Sequence, residues 1–111
     1  MNKYRNKKVQ TPDGNFDSVK EYRRWKELRL LEKAGEISNL HRQVPFGLIP
    51  PQRVKGKLVE REVKYYADFT YITKEGEFVV EDAKSDGTRT QVYRLKKKLM
   101  LQVHGLQIKE V

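Results

Sequence analysis

Two stretches rich in aromatic and β-branched residues, Tyr65-Tyr66-Ala67-Asp68-Phe69-Thr70-Tyr71-Ile72 and Phe78-Val79-Val80-Glu81-Asp82-Ala83-Lys84, flank a short polar gap, Lys74-Glu75-Gly76. That composition suits a pleated, half-buried surface, and the Gly in the gap makes the pair a β-hairpin. Side chains alternate along a strand, so Phe78, Val80, Asp82 and Lys84 share one face while Val79, Glu81 and Ala83 take the other. Asp82 and Lys84 therefore continue an apolar row, where an unpaired charge is costly.

The turn decides what Asp82 faces. If Lys74-Glu75-Gly76 is a three-residue loop with Gly76 in the left-handed position, Thr73 pairs with Glu77 and, counting back, Asp68 lies opposite Asp82. Directly opposed residues have β-carbons about 4.5–5.5 Å apart, and like charges there repel. A two-residue Glu75-Gly76 turn would instead put Asp68 opposite Ala83. The three-residue loop is favoured, because two carboxylates and a Lys on one semi-buried face suit a site that a cation joins.

Upstream, residues 18–35 read as a helix, with Val19, Tyr22, Trp25, Leu28 and Leu31 apolar and Gly35 fit for a C-cap. Trp25, Leu28 and Leu31 define a core-facing stripe whose centre passes close to Glu21. Spacing leaves Glu21 two roles. Ser18-Val19-Lys20-Glu21 fits a capping box, in which the Glu reaches back to the cap residue's N–H; the same carboxylate could instead hold a metal or a water. Residues 44–49 read as a strand ended by Pro50-Pro51. Beyond Lys84, Thr88 or Thr90 is placed to cap a second helix that ends at His104-Gly105. In it Val92, Leu95, Leu99 and Val103 repeat at helical spacing and are expected to face the core, with Arg94, Lys97 and Lys98 outward. A short last strand follows around Ile108. The order α-β-β-β-α-β implies an α/β fold, a mixed sheet flanked by helices. It forms one domain, 16–111, behind a basic arm, 1–15, that ends in the turn Thr11-Pro12-Asp13-Gly14.

Among 111 residues, 24 Lys and Arg oppose 15 Asp and Glu, a net charge of +9. That excess implies a polyanionic partner, DNA ahead of a membrane surface, since no apolar run of membrane length appears. Candidate phosphate contacts are Lys7 and Lys8 in the arm, Arg53, Lys55 and Lys57 around Gly56, and Arg89, Arg94, Lys96, Lys97 and Lys98 along the second helix. The start of that helix adds N–H donors and a positive dipole end. Without cysteine there is no disulfide and no thiolate chemistry, and with only His41 and His104 no zinc site is expected. The basic N-terminus leads into no signal-peptide core, so a cytoplasmic protein is expected.

An Asp on one strand followed by Asp-x-Lys on the next resembles the PD-(D/E)XK nuclease superfamily. Asp68 matches the first element, Asp82-Ala83-Lys84 the second, and Glu21 the helical acid, while Ala67 replaces the family's Pro. The runs Asn6-Lys7-Lys8, Phe16-Asp17-Ser18, Gln43-Val44-Pro45-Phe46, Tyr66-Ala67-Asp68-Phe69 and Val80-Glu81-Asp82-Ala83-Lys84 resemble small phage-encoded members of endonuclease and Holliday-junction-resolvase type, over nearly the whole chain. The resemblance implies a restriction-endonuclease-like core acting in the cytoplasm of the phage's host. It implies a divalent-metal-dependent DNA endonuclease, with Asp68, Asp82 and the Ala83 carbonyl holding Mg²⁺ or Mn²⁺ and Glu21 completing the shell directly or through water. Lys84 would position the attacking hydroxide or neutralise developing charge, Gln43 would support the ligands, and the product would carry a 5′-phosphate. Nothing resembles base readout, so branched, flapped or junction DNA is the expected substrate. A second copy of the chain is a further candidate partner. The alternative is a DNA-binding accessory protein of recombination or replication without catalysis.

Overall fold

The computed structural model describes residues 8–84 and 89–111. The expectations placed on Lys7 and on a cap at Thr88 lie outside these residues. In chain order the elements are β1 (Val9–Thr11), β2 (Gly14–Phe16), α1 (Val19–Lys33), β3 (Ile37–Ile49), β4 (Gln52–Val54), β5 (Lys57–Glu60), β6 (Val63–Thr73), β7 (Phe78–Asp82), α2 (Gln91–Leu99) and β8 (Ile108–Glu110). A π-helical turn, Met100–His104, extends α2 and stops at Gly105, whose φ of +66° is left-handed.

The β6–β7 hairpin uses the three-residue turn. Thr73 N–H donates to the Glu77 carbonyl at 2.8 Å and Gly76 N–H to the Thr73 carbonyl at 2.9 Å. Gly76 has φ +91°, a conformation that costs any residue with a Cβ. The pairs run Ile72↔Phe78, Tyr71↔Val79, Thr70↔Val80 and Phe69↔Glu81. One step further along this register, Asp68 comes opposite Asp82.

The main sheet has the order β3-β6-β7-β8, antiparallel except for the parallel β7–β8 pair, so it is mixed. The fold is thus α/β, with two helices packed on the sheet. Leu28 and Trp25 of α1 cluster with Ile37, Leu40, Phe69, Tyr71 and Val79. Tyr93 and Met100 cluster with Leu48, Tyr65, Ala67, Val80 and Ile108. Neighbouring Val79 and Val80 fall in different clusters, so the helices cover opposite faces of the sheet.

Strict alternation fails at one place, and it matters for the site. Tyr65 and Ala67 lie under α2, but Phe69 and Tyr71, of the same parity, lie under α1. On β3 Leu40 packs on the α1 side and Phe46 and Leu48 on the α2 side, a matching exchange. Between the pairs Arg42↔Phe69 and Val44↔Ala67 the register brings Gln43 across from Asp68. Gln43 has φ +50°, and this left-handed residue within a strand turns the chain so that the rows swap faces.

Several expectations change. Residues 9–15, placed in an arm, form the β1–β2 hairpin together with Phe16, which is buried against Tyr22 and Trp25 of α1. β3 begins at Ile37 rather than 44, because Asn39 (φ +54°) accommodates a bulge that a pattern of alternation cannot show. Leu31 is exposed, and so are Val92, Leu95 and Val103. Leu99 does pack on the core, as expected, but its companions there are Tyr93 and Met100, the first residue of the π-helical turn, with Lys97 between them half-buried. Polar anchors set that rotation: the Tyr93 hydroxyl donates to Glu110 Oε2 at 2.6 Å and Lys97 Nζ donates to the same oxygen at 3.0 Å. On β7, Phe78 is exposed at the strand end, and Glu81 is fully buried on the α1 face.

The β4–β5 hairpin turns through Lys55 (φ +52°) and Gly56 (φ +81°), as a two-residue type I′ turn requires. Every residue in it is exposed.

Candidate functional site

Three elements bring the predicted acids together. Ser18 caps α1 by accepting the Glu21 N–H at 3.1 Å, which fixes Glu21 in the first turn, facing the sheet. Its carboxylate does not close the other half of a capping box on Ser18; it is 97% covered and turns to Gln43 and Arg42. Asp68 stands at the face exchange of β6 and Asp82 near the end of β7. These three acids, with Gln43, Ala83 and Lys84, line a cleft of about 440 Å³ that Tyr65, Tyr93, Val92 and Lys96 complete.

The contacts are specific. Asp68 Oδ2 accepts the Ala83 N–H at 2.8 Å, and its Oδ1 accepts from Gln43 Nε2 at 3.1 Å. The same Gln43 nitrogen donates to Glu21 Oε2 at 3.2 Å. Asp82 Oδ2 accepts from the Tyr65 hydroxyl, and Asp82 Oδ1 lies 3.1 Å from Lys84 Nζ. Lys84 Nζ also stands 3.8 Å from the centre of the Tyr93 ring, a cation–π contact. The Lys84 backbone is held from both sides, its N–H donating to the Val111 carbonyl and its carbonyl accepting from Lys20 Nζ.

Crowded negative charge shows in the acid constants. Burial, then the charge of Asp82 and then that of Glu21 push Asp68 up to about 7, against the opposing bonds from Ala83 and Gln43. Burial and the nearby Asp17 raise Glu21 as well, and Arg42 at 3.6 Å only partly compensates. Burial, followed by Asp82, raises the Tyr65 phenol, which stays a donor to that carboxylate.

Hard oxygen donors and no sulfur suit Mg²⁺ or Mn²⁺, and a divalent cation offsets both the burial and the neighbouring charges that raise Asp68. As the side chains stand, each carboxylate is bonded to a donor of the protein. Among the described residues no three His, Cys, Asp or Glu side chains converge on one point. An ion entering here would meet carboxylates already engaged by Gln43, Ala83, Tyr65 and Lys84.

The candidate phosphate contacts divide. Lys96 lines the cleft. Lys8, Arg94 and Lys98 are exposed, and Lys55 and Lys57 project on the β4–β5 hairpin, where Arg53 Nη1 donates to the Gly56 carbonyl at 3.3 Å. Arg89 and Lys97 are turned to Glu110, at 2.9 and 3.0 Å, and so are not free cations as expected. With Tyr93 as the first cause and Arg89 the second, Glu110 is held down at about 2.

Sequence reasoning missed Tyr65 and Arg42. Tyr65 reaches Asp82 only because β6 exchanges faces, and Arg42 stacks 3.6 Å over the Phe16 ring only because β1–β2 folds back on α1. It also missed the opposite face of β7, where Glu81 accepts from Arg24 Nε and Nη2 at 2.8 and 2.7 Å and from the Tyr71 hydroxyl.

A family model matches residues 1–110. The chain belongs to the DUF1064 family. That family's description reads "protein of unknown function". No curated protein and no solved structure matches the chain. Among the described residues of this DUF1064 member, no helix is long and apolar enough to cross a membrane.

Proposed function

We propose that this DUF1064 protein is a Mg²⁺- or Mn²⁺-dependent DNA endonuclease built on a restriction-endonuclease-like core. The α-β-β-β-α-β order of α1, β3, β6, β7, α2 and β8 supports that core, with β1–β2 and β4–β5 as added hairpins. The observation that carries the reading is the convergence of Glu21, Asp68, Asp82 and Lys84 from α1, β6 and β7 on one cleft of a protein of charge +9.

A bound divalent ion would supply charge stabilisation at the scissile phosphate and acidify a water. The chain does the rest. Asp68, Asp82 and the Ala83 carbonyl would hold the ion, and Glu21 would complete its shell directly or through water. Tyr65 fixes one oxygen of Asp82 and leaves the other toward Lys84. Lys84, anchored through its own backbone, brings its ammonium to the phosphate oxygens, where charge grows in the transition state. Water attacks phosphorus, the P–O3′ bond breaks, and a 5′-phosphate and a 3′-hydroxyl remain. Lys96 at the cleft mouth, Arg94 and Lys98 on α2, and Lys55 and Lys57 on the projecting hairpin grip the sugar–phosphate backbone without reading sequence. This favours branched or flapped substrates over a specific sequence.

The test is cleavage of linear, flapped and four-way-junction DNA with Mg²⁺, Mn²⁺ or EDTA. Metal-dependent nicking of a branched substrate that disappears in Asp82→Ala is the expected result. DNA binding without cleavage in every metal would leave the accessory-protein reading.

A further inference from the structure

Gln43 differs from the rest of β3 in backbone and in contacts. A left-handed φ of +50° is unfavourable for a residue with a side chain and persists only where the surroundings impose it. Here it carries the amide over the cleft. The amide nitrogen has two hydrogens, and its two acceptors are carboxylates on different elements, Glu21 Oε2 on α1 at 3.2 Å and Asp68 Oδ1 on β6 at 3.1 Å. The other oxygen of Asp68 is tied to the Ala83 N–H, so Gln43 takes the remaining one.

Two anions drawn toward one shared electropositive group is the arrangement a cation makes. An amide does this with partial charge only. A Lys or Arg at 43 would neutralise the acids fully and compete with an ion at full charge, whereas an amide holds them and can be displaced.

Resting on the reading of the cleft as a cation site, we infer that Gln43 is a placeholder: its amide N–H₂ bridges Glu21 and Asp68 in the ion-free protein and gives up both bonds when a divalent ion enters. The opposite role, an oxygen ligand or a support that improves the ion's fit, predicts the opposite effect of removing the side chain.

Calorimetric titration of Mn²⁺ into the full chain at pH 8 without DNA separates the two. The variants are Gln43→Gly, which keeps the left-handed backbone, and Gln43→Asn, which tolerates it but is too short to span both acids. A placeholder gives Mn²⁺ affinity about tenfold tighter in Gln43→Gly, the order of one hydrogen bond to a charged group, and a tightening in the same direction in Gln43→Asn. Gln43→Asn, which gains no relief of backbone strain, should melt below wild type in EDTA and recover when saturated with Mn²⁺. Unchanged or weaker affinity in the two variants, with wild type binding normally, overturns the placeholder and leaves the cation site standing. Absence of Mn²⁺ binding in wild type as well overturns both.

Discussion

Arg24 grips Glu81 with two parallel bonds, at 2.8 and 2.7 Å, on the face of β7 turned away from Asp82. Glu81 is wholly buried, and Arg24 stands one turn after Glu21 on α1, so this pair pins the acid-bearing helix to the acid-bearing strand. Removing one partner leaves a buried charge without compensation. Arg24→Met should cost about 3–5 kcal/mol, and Arg24→Met with Glu81→Leu should recover much of it. Urea denaturation of the single and double variants checks this; equal losses for both would mean the pair does not act as a unit.

Chemistry and grip should separate. Asp82→Ala and Lys84→Ala are expected to lower cleavage at least ~100-fold with DNA binding roughly intact, because the proposed mechanism puts both residues on the ion or the phosphate. Single-turnover cleavage alongside filter binding measures the two. Cleavage at the wild-type rate in purified Asp82→Ala sinks the nuclease reading.

Asp68 makes ion-free stability depend on pH. Its constant in the folded chain, about 7, lies above the ordinary carboxylate value of 3.8, so the native state binds the extra proton. The stability this confers is complete below about pH 4 and is lost as pH rises through 7. In EDTA, wild type should melt lower at pH 8 than at pH 5.5 by more than Asp68→Asn does. Asp68→Asn should melt above wild type at pH 8 and lose the rise that Mg²⁺ gives wild type, about 2.7 kcal/mol at 100 times Kd. Melting curves in EDTA and in excess Mg²⁺ at both pH values decide it, and parallel curves for the two proteins would refute it.

The basic face of α2 divides by partner. Arg94→Glu with Lys98→Glu should weaken binding to all DNA sequences alike and lower the slope of log K against log salt by about 2. Lys97→Glu should instead disturb the fold, since it places a carboxylate beside Glu110. Salt-dependent binding isotherms on two unrelated sequences, with a melt of each variant, test the division.

Burial on α2 predicts a contrast within one helix. Met100→Ala should cost about 2–5 kcal/mol, while Leu95→Gln should stay within about 0.5 kcal/mol, as exposed positions do. Denaturation midpoints compare them directly.

The register of the β6–β7 hairpin was legible because turn chemistry is local: a Gly three residues past Thr73 specifies which residues pair. Glu21 was legible as an acid on an inward stripe for a similar reason. The α2 face was legible only at Leu99, because helical spacing finds the apolar row of Val92, Leu95 and Leu99 but cannot know that Tyr93 and Lys97 will meet Glu110, a residue of the last strand. The bridge from Gln43 to Glu21 and Asp68 depends on a left-handed backbone at a non-glycine residue, which no composition rule announces. Without that exchange of faces Tyr65 has no route to Asp82.

The parallel β8 strand also sets the order of events. The backbone of Val111 pairs with that of Asp82 and Lys84, 29 and 27 positions earlier in the chain. A growing chain can close the local β6–β7 hairpin early, but the partner that steadies Lys84 is synthesised only after α2 has been made. The cleft thus takes its final shape only once the segment that follows α2 has joined the sheet, a contact far more distant in sequence than the hairpin.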